Sequence, residues 1–178
     1  MATINLSWTP SNDANSTGQK VQRKSGAGSF ADIGTILSAS ASSYSDTTAI
    51  DNVLYTYQIV NICVVGGPTD SMEVQAGKAV CPEIGEIVNG NEVSLSFPTL
   101  FDDLSYAGNI TIDNAIGSYS SGNSQSGQVL TFTGVYDTTY NYTFSVAVGT
   151  NIASCSGSVT TDPAPSCPAP TGLSAIIS

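Results

Sequence analysis

Four cysteines are the residues of this chain best suited to chemistry, because paired thiols form disulfides or bind soft metal ions. Cys63, Cys81, Cys155 and Cys167 are separated by 18, 74 and 12 residues, so none belongs to a CxxC pair. The chain contains no histidine. Histidine-based catalytic triads and most zinc sites are therefore not expected. We expect a protein that is not an enzyme and uses no cofactor.

Two acidic turns are the remaining candidates for a metal site. Asp102 and Asp103 in FDDLSY, or Asn12 and Asp13 in PSNDAN, carry oxygen atoms of the kind that bind calcium. Neither turn has the spaced ligands of a known calcium loop, and a solvated polar turn is the simpler interpretation. The glycines are scattered and do not form the GxxxxGK[ST] pattern of a phosphate loop. The sequence thus predicts no metal site.

The composition favours strands and disfavours anionic partners. Ser, Thr, Gly and Asn are abundant, whereas the long side chains that stabilise helices are scarce. Fourteen acidic residues against four basic ones give a net charge of −10, which repels phosphate backbones and anionic lipid headgroups. The apolar runs are far shorter than the roughly 20 residues that span a bilayer. We expect an all-β protein that neither binds nucleic acid nor inserts into a membrane.

Alternating segments recur along the chain. ATINLSW at residues 2–8 places apolar and polar residues on opposite faces, which is typical of a half-buried strand, and NEVSLSF at residues 91–97 has the same pattern. YTYQIV, which begins at Tyr55, is matched by YNYTFSVAV, which begins at Tyr140. A repeat of about 85 to 89 residues is the size of a sandwich domain. The sequence predicts domains at 1–80 and 81–166 and a tail at 167–178.

The first repeat resembles a fibronectin type III domain. INLSW is similar to the second strand of that family, KVQRK to the third, and YTYQIV after SYSDTTAIDN to the sixth. The resemblance implies that Trp8 fills the centre of the core and that Tyr55 is the corner tyrosine, which bonds back to the backbone. The second repeat has Phe97 in place of the tryptophan and is better described as immunoglobulin-like. Two tandem β-sandwiches with an extra C-terminal strand are therefore expected.

The tail PAPTGLSA is similar to the opening strand of the same family, which the first repeat lacks. Spliced head to tail, Cys167 and Ile4 would be 15 residues apart, against 12 from Cys81 to Val93. Our hypothesis is that the tail completes a first domain, of its own chain or of a neighbour. The donor residues are Leu173, Ala175, Ile176 and Ile177, and the acceptor core is Ile4, Leu6, Trp8, Tyr57 and Ile59. The alternative is a tail that packs on nothing and a first domain that is stable with six strands.

The cysteines have two interpretations within this architecture. A cysteine that opens a first strand lies at the same end of a sandwich as the loop between the last two strands. Cys81 is therefore expected to pair with Cys155, and Cys167, delivered by the tail, with Cys63. The alternative is that all four are free thiols that behave as small hydrophobic side chains.

The resemblance extends to tandem arrays in phage virion proteins and on surface proteins of Bacteroidetes-type bacteria. The sequence begins at Met1 without a recognisable signal peptide, which favours assembly in a host cytoplasm. We therefore expect a virion component such as a capsid decoration, head-fibre or tail protein. The alternative is an exported bacterial surface fibre or adhesin subunit. The expected partners are copies of the chain and other virion or fibre proteins, with a glycan ligand left open.

Overall fold

A computed structural model describes residues 1–99, 111–113 and 127–167, and these residues form strands and no helix. The all-β prediction is confirmed. A linker, residues 77–84, divides the strands into two groups. The strands that precede it are β1 (Ala2–Ser7), β2 (Ser16–Ser25), β3 (Ala31–Leu37), β4 (Ser43–Ala49), β5 (Tyr55–Cys63), β6 (Thr69–Asp70) and β7 (Val74–Ala76). Those that follow it are β8 (Gly85–Asn89), β9 (Glu92–Ser96), β10 (Thr111–Ile112), β11 (Val129–Thr133), β12 (Thr139–Val148) and β13 (Asn151–Thr160).

Two sheets face each other in the first half of the chain, which comprises β1 to β7. β1 pairs with β4 in one sheet, and the other has the order β3-β2-β5-β6, with β7 also paired to β5. Burial alternates along β1, where Ala2, Ile4 and Leu6 are buried and the residues between them are exposed. These side chains pack against Val21 and Tyr57 of the opposite sheet. The first core therefore lies between the two sheets, as in a sandwich.

The second half, β8 to β13, repeats this layout. One sheet has the order β11-β9-β8 and the other the order β10-β12-β13. Burial alternates strictly along β12, and the buried residues of β9 and β12 form one cluster. That cluster contains Val93, Leu95, Phe97, Tyr140, Tyr142, Phe144, Val146 and Val148. The division at residue 80 stays a prediction, although no described sheet contains strands from both sides of it.

A tyrosine at or next to the start of a long strand, Tyr55 of β5 and Tyr140 of β12, fixes the preceding loop in each half. The Ile50 amide donates to the Tyr55 hydroxyl at 3.3 Å, and the Val135 amide donates to the Tyr140 hydroxyl at 2.6 Å. Both bonds join residues five positions apart. Tyr55 thus has the backbone contact that the resemblance implied, and Tyr140 repeats it.

The first half ends in two short strands, β6 and β7, with Ser71 to Glu73 outside both. The Ser71 hydroxyl accepts the Ile59 amide proton at 2.8 Å, and the Ser71 amide donates to the Ile59 carbonyl at 2.7 Å. Because a side chain replaces a backbone acceptor, the ladder is interrupted at this point.

Two asparagines hold the linker between the halves. The Asn52 side chain bonds both the amide and the carbonyl of Val80, at 2.8 and 3.0 Å. From the other side, the Ala79 amide donates to Asn151 Oδ1 at 2.7 Å. Leu54 of the first half also packs against the core of the second. The linker is therefore anchored to both halves.

Candidate assembly surface

The outer edge of β1 has no partner strand among the described residues. β1 belongs to a two-stranded sheet with β4, and the Trp8 amide extends the ladder by donating to the Ser42 carbonyl at 2.9 Å. Backbone groups of alternate residues face opposite edges of an antiparallel strand. The amides and carbonyls of Asn5 and Ser7 therefore face away from β4. They form an open edge of the kind that accepts another strand.

The second half shows what occupies this edge when it is filled. β9 corresponds to β1, since the Phe97 amide donates to the Gln128 carbonyl at 2.9 Å just as Trp8 bonds Ser42. β9 pairs with β11 on one edge and with β8 on the other, where Ser96 lies opposite Gly85 and Ser94 opposite Ile87. The described part of the first half has no counterpart of β8.

A groove lies along the open edge of β1. Its volume is about 670 Å³, and it runs between β1 on one side and β5 and β7 on the other. A smaller pocket of about 220 Å³ shares three lining residues with it and continues toward Asn61 and Thr69. Within the groove, Val74 is 53% exposed and Met72 is 91% exposed. We call the groove and its continuation the β1 groove; its apolar lining includes Leu6, Trp8, Ile59, Met72 and Val74.

Of the predicted acceptor residues, Leu6, Trp8, Tyr57 and Ile59 line this groove, and Ile4 lies in the core without lining it. Ile4, Leu6 and Tyr57 are buried in the first core, and Trp8 and Ile59 are partly buried and pack against it. Trp8 is therefore not at the centre of the core, as the resemblance implied, but at its border. The Trp8 indole donates to Gln19 Oε1 at 2.6 Å, and its ring lines the groove. A neighbouring strand on β1 would cover the exposed part of this ring.

A polar cluster that the sequence did not reveal lies in the first core. Asp46 is fully buried, and its carboxylate accepts bonds from Arg23 at 2.6 Å and from the Tyr57 hydroxyl at 2.9 Å. The Arg23 guanidinium also lies 4.4 Å from the centre of the Tyr55 ring. Burial alone would raise the pKa of Asp46, but hydrogen bonds from Thr48, Tyr57 and Arg23 outweigh it and lower the pKa. Burial, with the bond to Asp46, raises the pKa of Tyr57.

A tyrosine–carboxylate contact also fastens β8 in the second half. The Tyr142 hydroxyl on β12 donates to Glu86 Oε1 on β8 at 2.7 Å. Burial first, and then this bond, raises the pKa of Tyr142. Tyr142 and Tyr57 each stand two residues after a corner tyrosine. In the second half the carboxylate comes from β8, and in the first half it comes from β4.

One pair of cysteines is bonded and two cysteines are free. Cys81 and Cys155 form a disulfide with a Cα–Cα distance of 5.6 Å, which is the pairing considered inside the second domain. Cys155 lies within β13 rather than in a loop, because β12 and β13 form a long hairpin with a tight turn. Cys63 ends β5 and is partly buried, and Cys167 is exposed. Neither of these two thiols has a disulfide partner within the single chain.

The same backbone hydrogen bond is found where the chain leaves each half. The Asn52 amide donates to the Lys78 carbonyl at 2.9 Å, and the Asp137 amide donates to the Asp162 carbonyl at 2.9 Å. Asn52 and Asp137 both have positive φ, of 60° and 53°, and each precedes its corner tyrosine by three residues. After Lys78 the chain continues into β8. Asp162 therefore occupies in the second half the position that Lys78 occupies in the first.

Several predicted residues lie outside the part of the chain that the structure describes. These are the donor residues Leu173, Ala175, Ile176 and Ile177, and the acidic pair Asp102 and Asp103. In the other acidic turn, Asp13 Oδ1 accepts the Asn15 amide proton at 2.9 Å, which is a local turn contact. Within residues 1–99, 111–113 and 127–167, no group of three or more acidic or cysteine side chains is arranged to hold a metal ion.

No family model and no curated protein matches the chain. The described residues also include no helix with the length and apolar character required to cross a membrane.

Proposed function

We propose that this chain is a non-catalytic structural subunit that joins copies of itself by donating its C-terminal segment to the β1 groove of the next copy. The groove is the observation that carries the proposal, because β8 fills the corresponding edge in the second half. The residues that follow Asp162 start from the position that leads into β8 after Lys78. We infer that they are an opening strand for another copy.

The side chains of the donor segment suit the groove. Leu173, Ala175 and Ile177 are spaced by two residues, which is the spacing of one face of a strand. Each large aliphatic side chain that the groove buries contributes about 1.5–3 kcal/mol before ordering costs. A domain of this size is stabilised by roughly 5–15 kcal/mol in total. Donation of the tail therefore has the magnitude needed to determine assembly.

The proposed setting is a phage virion, in which the chain serves as a capsid decoration, head-fibre or tail protein. The support for this setting is the resemblance of the repeats to tandem modules of virion proteins. The net charge of −10 is compatible with a particle surface and unsuited to packing against nucleic acid. Other virion proteins are then the partners at the ends of such an assembly.

A second setting is an exported bacterial surface fibre or adhesin subunit, with a glycan as a candidate ligand. The Cys81–Cys155 disulfide favours this setting, since structural disulfides persist mainly outside the reducing cytoplasm. The two settings share the assembly mechanism. Antibody labelling of intact virions and of intact bacteria distinguishes them, because only one kind of surface would carry the chain.

Deletion of residues 168–178 tests the assembly mechanism. We expect the full chain to form concentration-dependent oligomers by light scattering and filaments or rings by electron microscopy, and the truncated chain to remain a monomer. The single tryptophan, Trp8, lines the groove, so its fluorescence reports docking of a synthetic 168–178 peptide. If the deletion changes neither the assembly mass nor the melting temperature, strand donation is wrong. Leu173→Asp provides a second variant that keeps the chain length.

A further inference from the structure

We propose that each junction between copies is closed by a disulfide between Cys167 of one chain and Cys63 of the next. This inference rests on the proposed strand donation and adds a covalent bond to it. Both thiols are free in the single chain, and Cys167 is exposed. Cys63 ends β5, and the Asn61 side chain donates to Cys63 Sγ at 3.3 Å. Because Asn61 lines the β1 groove, Cys63 stands at the end of the groove.

A donated strand that runs antiparallel to β1 places the residues that precede it at the Cys63 end of the β1 groove. β8 runs antiparallel to β9, with Gly85 opposite Ser96 and Asn89 opposite Glu92. A donor strand in the same orientation on β1 enters beside Trp8 and ends toward Ala2. Trp8 shares the smaller pocket with Asn61 and Thr69. The residues just before the donor strand therefore meet the end of β5.

The register of the donor follows from its apolar face. Ile84, just before β8, and Val88 on β8 pack against the second core, and Glu86 between them meets Tyr142. The inward positions are thus 84, 86 and 88, and Leu173, Ala175 and Ile177 have the same spacing. In this register Cys167 lies six residues before the first inward position, whereas Cys81 lies three residues before it. Three extended residues span about 10 Å.

The positions of Cys155 and Cys63 match this difference of three residues between Cys81 and Cys167. Cys155, the partner of Cys81, lies opposite Phe144, four residues after Tyr140. The corresponding position in the first half is Ser71, opposite Ile59, which is four residues after Tyr55. Cys63 lies four residues beyond Ile59, about 13 Å further along β5. The longer approach of the tail therefore carries Cys167 past Ser71 and toward Cys63.

Cys63 and Cys167 each lie in their own half of the chain, far from the linker, which favours a bond between copies. β5 begins close to the linker anchor Asn52 and ends at Cys63. β13 begins at the other anchor, Asn151, and runs ten residues away from the linker before the chain reaches Cys167. Ten residues of strand span about 30 Å. Each thiol thus lies at the end of its half that is remote from the linker.

The bond forms by oxidation of two thiols. Cys63 and Cys167 together lose two protons and two electrons, and a small-molecule disulfide such as oxidised glutathione takes them and becomes two thiols. The Cys81–Cys155 disulfide takes no part. Closure is therefore expected when the assembled chain meets an oxidising medium.

A mixing experiment tests the inference. Cys63→Ser keeps only the thiol of the tail, and Cys167→Ser keeps only the thiol of the groove. With oxidised glutathione, we expect the mixture to give a covalent dimer that contains the Cys63–Cys167 peptide pair by mass spectrometry. The wild type should give a ladder on a non-reducing gel that a reductant collapses. Neither variant alone should yield the Cys63–Cys167 pair.

The outcomes separate this inference from the proposed function. Oligomers in light scattering without the Cys63–Cys167 pair would overturn the disulfide and leave strand donation standing. Absence of oligomers from the reduced and the oxidised wild type would overturn both. A Cys63–Cys167 bond within dilute monomers would overturn the junction between copies.

A second double variant tests the register. Cys63→Ser combined with Ser71→Cys offers the tail a thiol at the position that corresponds to Cys155. We expect at least tenfold slower cross-linking to Cys167 than in the wild type. Faster cross-linking at position 71 would mean that the tail copies the register of Cys81, and the inference would be wrong.

Discussion

Asn52 and Val80 close a ring of two hydrogen bonds between a side chain and the linker backbone. The Val80 amide donates to Asn52 Oδ1 at 2.8 Å, and Asn52 Nδ2 donates to the Val80 carbonyl at 3.0 Å. Asn52 reaches this position with φ of 60°, which asparagine tolerates better than most residues. A single side chain thus holds the linker in an extended conformation against the first half.

Removal of this side chain should loosen the linker. Asn52→Gly keeps the positive φ and deletes both bonds, and each bond contributes about 1 kcal/mol. Lys78 is one of only four basic residues, so trypsin cleavage after it reports local opening of the linker. We expect cleavage after Lys78 to accelerate by about tenfold, a factor that corresponds to about 1.4 kcal/mol. Asp137→Gly, the same change at the other positive-φ loop, is the matched control; equal acceleration in both variants would contradict the role of Asn52.

Acid should destabilise the first half through Asp46. The pKa of the buried carboxyl is lowered in the folded state, so its stabilising contribution is present above the unfolded value of about 3.9 and is lost as the pH falls through the lower folded value. Asp46→Asn leaves Arg23 without its ion partner and should cost about 3 kcal/mol at pH 7. Urea unfolding followed by Trp8 fluorescence at pH 7 and pH 3 measures both effects. If the variant lost as much stability on acidification as the wild type, another carboxyl would be responsible.

Reduction of the Cys81–Cys155 disulfide should destabilise the second half. The bond joins residues with a sequence separation of 74, and a disulfide typically stabilises the folded protein by about 2–4 kcal/mol. Because Trp8 reports only on the first half, circular dichroism and tryptophan fluorescence together separate the two unfolding transitions. We expect a reductant to shift the transition seen only by circular dichroism. Cys81→Ser should reproduce the shift, and Cys63→Ser should not.

A charge in the β1 groove should block assembly without unfolding the chain. Val74 lines the groove and is 53% exposed, so Val74→Lys removes little of the existing core. Burial of the new ammonium group under a donated strand would be strongly unfavourable. We expect oligomers to disappear from light scattering while the melting temperature of the truncated chain stays within a few degrees. Ile36→Lys is the matched control, because Ile36 is 62% exposed on β3, the strand at the opposite edge of that sheet; loss of assembly in this variant too would point to a general charge effect.

The parts of the fold that local patterns specify could be predicted from the sequence. Strict alternation in β1 and β12 predicted their buried faces, and the tyrosines at 55 and 140 marked the repeat. The buried polar cluster was not predictable, because Arg23, Asp46 and Tyr57 come from three strands and meet only after the sheets pack. The division of β6 from β7 depends on one serine hydroxyl, which no alternation pattern encodes.

The candidate site shows the same division between local and long-range information. Leu6 beside the groove follows from alternation along β1, whereas Met72 and Val74 lie beyond the strands that alternation specified. The border position of Trp8 does not follow from alternation, because it depends on which strand lies next to β1. The proposed approach of Cys167 to Cys63 depends on the register of the tail on β1. That register is inferred from the observed register of β8 on β9, which the sequence alone does not give.

The loops at Asn52 and Asp137 imply unequal stiffness in the proposed filament, at the linker within a chain and at the junction between two chains. The side chain of Asn52 bonds the linker as both donor and acceptor, whereas Asp137, at the corresponding position, has no amide nitrogen with which to donate. Until the Cys63–Cys167 bond forms, the linker inside a chain would therefore resist bending more than the junction between two chains. Curvature would concentrate at every second joint, so the filament would flex with a repeat of one whole chain rather than one module.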